Sequence, residues 1–376
     1  MKLRRIRAVA LCEARQLRRD PMLPIRALGV PITLMLLFGY GITFDVEQLP
    51  TAVIDHDRSA TSREYIQAFT GNRSFDLVRA AASEDELEDL LRQGQLRLAL
   101  VIPPGFEREV FRSRPASVQI LIDGVYPYRA DITRGYALTA HAHVAEAILK
   151  ERLEARLGAA PELRPIEVRT RYLYNEDLRS ANAVVPGVIP VVLMMTPAVM
   201  MAVAIVREKE LGSIFNFLAS PATRAEFVLG KLVPYVAISL WNAILLAAMA
   251  VVVFDVHFKG SPLLYLVSSA IYVTATASIG LLVSAFSRSQ IAATIGTFVL
   301  TLLPSFLYSG VLMPIANMEP TGRVMAHLFP GMYQNKIVIG AFLKNLPMSA
   351  FTNELLILLL FAATTLGAGI LLMRKR

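Results

Sequence analysis

The sequence predicts an α-helical polytopic membrane protein with six transmembrane helices and an inserted extracytoplasmic α/β domain. Two observations lead there. Residues 27–44, 180–206, 232–254, 260–287, 289–318 and 355–373 contain no Asp, Glu, Lys or Arg, and about 20 helical residues cross roughly 30 Å of hydrocarbon. Between the first two stretches lie about 140 polar-rich residues, enough for a folded domain. The composition agrees: 55% of residues are hydrophobic and 18% charged, against about 25% charged in a typical soluble domain.

Residues 1–23 read as a cytoplasmic amphipathic helix, with apolar Leu3, Ile6, Val9, Ala10 and Leu17 among arginines. The basic start runs into a stretch long enough to span, without a small-residue cleavage site, so no cleavable signal peptide is expected. The one cysteine, Cys12, excludes an intramolecular disulfide. With transmembrane helix 1 at 24–44 and the N-terminus inside, the basic residues of termini and short connections divide sixteen to four in favour of the cytoplasm. That bias places both termini inside. Residues 44–183 carry 18 basic and 22 acidic side chains, so the overall charge of +8 comes from the membrane part. Basicity of this kind is a topology signal and excludes a nucleic-acid partner.

The domain at 45–180 shows strand-like runs at 51–55, 98–102, 118–123 and 166–174, separated by helix signals. Ser83 with Glu86, and Thr61 with Glu64, have capping-box spacing, and a longer helix is expected over 129–157. Strands alternating with helices predict a small α/β domain. His141 and His143 stand two apart, which points them to different helix faces; solvated residues are the simpler reading than a metal site. Asp55, His56 and Asp57 follow a strand and are expected to cap the next helix. No catalytic residue and no metal ligand is assigned.

Transmembrane helices 2–6 fall within 181–376. Residues 207–219, between the second and third, read as a short coupling helix. Arg207, Glu208, Lys209 and Glu210 form a charged head, Leu211 and Gly212 follow, and Leu211, Ile214, Phe215 and Leu218 make one apolar stripe. Ser220-Pro221 ends it, and Thr223 with Glu226 opens the next span as a capping box. Taken alone, the pattern slightly favours an amphipathic linker on lipid headgroups over a partner-docking element.

The segment resembles the coupling region of ABC-2 permeases: an Arg-Glu-x-Glu-x-Gly run (Arg207, Glu208, Glu210, Gly212), an apolar helix, Ser220-Pro221, and Gly230-Lys231 in the next span. Residues 308–318 are similar to the family's Ser-Gly-x-x-x-Pro motif after the fifth span, although Glu319 is inserted before Pro320. Residues 286–292 resemble its turn between spans four and five. The resemblance covers nearly the whole chain. It implies an efflux permease in a bacterial inner membrane, working as a homodimer or with a related permease subunit. Separate ATPase subunits would hold ATP-Mg and grip the coupling helix, with a periplasmic membrane-fusion protein and membrane lipids as further partners. It also implies that spans two and five line the export path.

No cofactor is expected on this chain itself. No G-x-x-x-x-G-K-[ST] occurs, and Gly230-Lys231 is followed by Leu232, so no loop of that type cradles phosphates. Pro190, Met194, Pro197 and Met201 in span two, with Pro304 and Tyr308 in or near span five, are the candidate path. Prolines bend helices and methionines offer adaptable apolar surface, though ordinary helix packing explains any single Met. Short helices at 318–345, broken at Pro330-Gly331, are expected to dip into the outer leaflet, with Pro314 and Glu319 as a candidate external gate. A non-transporting sensor or recruitment module and a proton-coupled carrier are the alternatives; the lack of an intramembrane carboxylate weighs against the carrier.

Overall fold

The computed structural model describes residues 2–22, 25–42, 48–71, 75–112, 114–125, 127–157, 173–175, 179–213 and 221–373. The chain divides into two compact units, one joining Met1–Thr43 to Tyr172–Arg376, the other Phe44–Arg171. It is mostly helical with one small sheet.

Helix α1 (Leu3–Arg19) is followed by a π-helical turn, Ile25–Gly29, that runs into α2 (Val30–Gly41). Pro31 in the first turn of α2 has no N–H to offer the carbonyl of Ala27. That oxygen instead accepts from Asn242 Nδ2 at 2.6 Å.

The second unit follows as β1 (Leu49–Asp55), α3 (Ala60–Thr70), β2 (Phe75–Ala80), α4 (Glu84–Arg92), β3 (Leu98–Ile102), α5 (Phe106–Phe111), β4 (Gln119–Ile122) and α6 (Pro127–Leu157). Its sheet has the order β2-β1-β3-β4; β1 pairs in parallel with β2 and β3, and β4 runs antiparallel to β3. Alternation along β3 sends Leu98, Leu100 and Ile102 to one face with Tyr65, Phe69, Phe106 and Val144. Ala99 and Val101 go to the other face with Ala52, Ile54 and Leu87. The sheet is therefore covered on both sides, by α3, α5 and α6 on one and α4 on the other.

Several expectations are corrected here. Ser59 caps α3 by accepting from Ser62 N, so the helix starts ahead of the Thr61/Glu64 pair. Ser83 does cap α4, but Glu86 turns back to Ala82 N. Asp57 caps α5 instead of the next helix, accepting from Gly105 N at 2.7 Å and Glu107 N at 2.9 Å. His141 is no freely solvated residue: its Nδ1 lies 2.6 Å from Tyr65 Oη. The strand expected at 166–174 lies mostly outside the described residues.

The first unit resumes with α7 (Ser180–Glu210), α8 (Arg224–Val252), α9 (Pro262–Phe286), α10 (Gln290–Tyr308), α11 (Pro320–His327), α12 (Pro330–Ile339) and α13 (Thr352–Leu372). Among the described residues, five helices are long and apolar enough to cross a membrane, and the apolar helix Ala27–Gly41 is shorter. The apolar stretch 289–318 is not one helix: α10 ends at Tyr308, Gly310 takes φ +87°, and Pro314 leads a short 3-10 turn. Two short helices do occur here, Pro320–His327 and Pro330–Ile339, with the break at Leu328-Phe329. Pro330 stands just after it at the start of α12, where its missing N–H costs no hydrogen bond. Residues 330–335, 337 and 338 of α12 are buried, and the helix packs on α7, α9 and α13.

Helix α7 is the hub, buried almost throughout and packed on α2, α8, α9, α10 and α12. At Gly280 of α9, an added Cβ would stand 1.9 Å from the carbonyl oxygen of Ala198, so only glycine permits that approach of α9 to α7. Pro197 cannot donate to the Leu193 carbonyl one turn back; Thr276 Oγ1 of α9 donates to that oxygen at 3.3 Å.

Candidate functional site

The last turn of α7 holds four consecutive charged residues, and successive helical positions point about 100° apart. Each reaches a different neighbour. Arg207 Nη1 lies 3.5 Å from Asp20 just after α1. Glu208 Oε1 lies 2.7 Å from Lys231 Nζ on α8. Lys209 Nζ donates to the Ser284 carbonyl near the end of α9. Glu210 accepts from the backbone N–H of Gln290 at 2.8 Å and from its side chain, at the start of α10. The charged turn therefore ties one helix end to four others. Leu211 caps α7 and is 70% exposed, and Gly212 turns the chain out at φ +70°. Ile214, Phe215, Leu218 and Ser220 lie outside the described residues.

Behind this turn is a buried charge cluster. Lys231, 1% exposed, has Glu13 Oε2 at 2.6 Å as well as Glu208. Tyr235 Oη donates to the other oxygen of Glu13 at 2.7 Å, and the ammonium lies 5.6 Å from the centre of the Phe227 ring. One buried ammonium is thus shared by carboxylates from α1 and α7 while sitting on α8. Such a group is costly to bury and is tolerated when its charges and hydrogen bonds are met.

Helix α1 is fastened to α8 along its length. Gly230 makes the crossing possible: a Cβ there would stand 2.6 Å from Val9 Cβ and 3.0 Å from the Ile6 carbonyl oxygen. At the start of α8, Thr223 and Glu226 form the expected capping box. Glu226 also accepts from Lys2 N at 2.7 Å and pairs with Arg5 at 3.5 Å. Arg5 donates to the Pro221 carbonyl at 2.6 Å. Contacts from α1 and the residue after it thus reach both ends of the α7–α8 link, Arg207 on one side and Pro221 on the other.

Of the residues proposed from sequence, Glu208 joins this cluster. Arg207, Lys209 and Glu210 reach other helix ends beside it, and Leu211 and Gly212 follow at the end of α7. Pro190, Met194, Pro197 and Met201 do not join the cluster; all four are buried along α7. Tyr272 Oη donates to the Pro190 carbonyl at 2.8 Å. Pro304 lies within α10, and Tyr308 stacks on Phe329 at 5.9 Å between ring centres. Pro314 and Glu319 are exposed, and Glu319 stands at the N-terminal boundary of α11. Sequence reasoning missed Glu13, Lys231 and Tyr235 as site residues. One signal was there: Glu13 interrupts the apolar stripe of α1 formed by Ile6, Val9, Ala10 and Leu17. Among the described residues, no group of three or more His, Cys, Asp or Glu could hold a metal.

The model of the family described as "ABC-2 family transporter protein" matches residues 26–371. The chain is similar to "Probable multidrug ABC transporter permease YbhS" of Escherichia coli K12, at 28% identity over 98% of this chain and 95% of that protein. It is similar also to "Probable multidrug ABC transporter permease YbhR" of the same strain, at 26% over 97% and 96%. A shorter match, 27% identical over 72% and 70%, is to "Inner membrane transport permease YhhJ". With the family model spanning nearly its whole length, this chain belongs to the ABC-2 family of transporter permeases.

Proposed function

We propose that the chain is the membrane-spanning subunit of an ATP-driven efflux transporter, paired with a second permease subunit and with ATPase subunits that bind ATP-Mg. In this reading α2 and the five long apolar helices make six spans of a bacterial inner membrane. The unit 44–171 then lies outside the cytoplasm and both termini inside. The link between α7 and α8, with Leu211, Ile214, Phe215 and Leu218, docks on the ATPase. Movement of the link is passed to α1, α8, α9 and α10, and the path includes Pro190, Met194, Pro197, Met201, Pro304 and Tyr308. The external gate is formed at Pro314 and Glu319. A periplasmic membrane-fusion protein and membrane lipids complete the assembly. The names of the YbhS and YbhR relatives favour several unrelated compounds as cargo.

The observation that carries this reading is the four-way fastening of Arg207 to Glu210. A turn that merely lay on headgroups would have no reason to spend each of four charges on a different helix. The test replaces Phe215 and Leu218 with Asp in the assembled complex. Export and substrate-stimulated ATP hydrolysis fall to background while membrane insertion is unchanged; normal export by that variant overturns the coupling role.

A further inference from the structure

The α/β unit has a feature that the transport reading does not use. From β1 the chain crosses by α3 to β2 on one side, then returns by α4 to β3 on the other. Because α3 leaves the carboxyl end of β1 on one face and α4 leaves that of neighbouring β2 on the other, the connections diverge at the carboxyl ends of β1 and β2. In open α/β sheets that divergence leaves a crevice where ligands bind. Beside it, at the same carboxyl end of β1 and β3 and next to the start of α4, is a cavity of about 740 Å³. It is lined by His56 after β1, Val101, Pro103 and Pro104 at and after β3, Glu84, and residues 117–119. Its volume falls in the range of small-molecule sites, about 300–1,000 Å³.

We propose that this cavity binds an organic cation with an apolar body. The chemistry of the lining selects the class. An anion would need free backbone N–H groups or a basic side chain. The Gly105 and Glu107 N–H groups at the start of α5 are already taken by the Asp57 carboxylate, and at the starts of α3 and α4 Ser59 and Ser83 accept from Ser62 N and Glu86 N. Among the described residues, no Lys or Arg lines the cavity. The lining includes one acidic residue, Glu84, which has no ion pair among the described residues, together with the polar residues Ser117 and Gln119. Val101, Pro103, Pro104 and Val118 supply the apolar wall. His56 is exposed at the rim. A quaternary or protonated amine on a hydrocarbon body meets both surfaces.

The test uses the full chain in nanodiscs and a photoactivatable alkyl-benzyl-dimethylammonium probe, with adducts mapped by mass spectrometry. Its neutral counterpart, with carbon in place of nitrogen, is the control. The cation labels residues 56–58, 101–104 and 117–119, and the neutral probe labels them about fivefold less, the size of one partly desolvated ion pair. Glu84→Gln reduces labelling to the neutral level, Glu84→Asp retains it, and Val118→Trp removes it for both probes. Equal labelling by the neutral probe, unchanged labelling of Glu84→Gln, or adducts confined to the apolar helices overturns the proposal. Binding here needs neither ATPase nor transport, so its failure and that of the coupling role are read separately.

Discussion

Lys231 shows how much a single residue carries at this site. Its ammonium is the one positive charge that both Glu13 and Glu208 touch within 2.7 Å. Replacing it with Met keeps the volume and leaves buried Glu13 and half-buried Glu208 without this counter-charge. Breaking a buried pair from one side costs about 3–5 kcal/mol. The Lys231→Met protein is therefore expected to show a much lower apparent melting temperature in detergent. Adding Glu13→Gln and Glu208→Gln recovers most of the loss, because the cost lies in the abandoned charges; a triple variant no more stable than the single one refutes this account. Half of this cluster was legible beforehand. Glu208 stood out in a charged run and Gly230-Lys231 in a motif, but nothing local to Glu13 says that its partner lies 218 positions away. Only its place on the apolar stripe of α1 marks it. Gly230 stood in that motif too, but nothing in the sequence says that it leaves room for Val9.

At the scale of helices, prolines and polar side chains act as pairs. Pro31 and Pro197 each strip a carbonyl of its helical N–H, and Asn242 and Thr276 on neighbouring helices donate to those oxygens. Within hydrocarbon no water is at hand to do so. This explains how α7 carries Pro197 inside a helix buried almost throughout. A double-mutant cycle follows from it. Thr276→Val costs about 0.5–1.5 kcal/mol in the native background. In Pro197→Ala the new N–H reaches the Leu193 oxygen, and the same substitution costs close to nothing. Additive effects in unfolding measurements would mean that Thr276 serves only its second acceptor, the Val273 carbonyl. The spans themselves were readable because an uncharged run of this length has few other uses. Their ends were not: Arg207 to Glu210 continue α7, and the break between the two short helices falls at Leu328-Phe329, so that Pro330 opens the second of them, since proline is favourable in a first turn. Strand β2 escaped notice because only Phe75 of its six residues is buried, which leaves no alternation to see.

The whole molecule is two units with separate cores, and this has a consequence that can be measured on one of them alone. Residues 44–171, roughly 130 in number, enclose apolar cores on both faces of their own sheet, a normal size for independent folding. The excised segment is expected to be soluble and to unfold cooperatively. Its acid stability rests on two carboxylates. Burial raises the pKa of Asp57, but hydrogen bonds from Ser59 and the backbone N–H groups of Glu107, Gly105 and Phe106 outweigh it and hold the pKa below its usual 3.8. The backbone N–H of Val125 and the charge of Arg97 do the same for Asp123 against partial burial. Both groups are lowered on folding, so their stabilisation is complete above the unfolded value of about 3.8 and is lost as pH falls through the folded values beneath it. The unit therefore keeps its midpoint in urea between pH 7 and 5 as far as these groups are concerned, and loses stability steeply below pH 4. Asp57→Asn retains one acceptor oxygen but no charge. It is expected to be less stable than the native segment at pH 6 and to converge on it near pH 2. Parallel urea-midpoint curves from pH 6 to 2 would show that the Asp57 charge is not what fastens α5 to the end of β1.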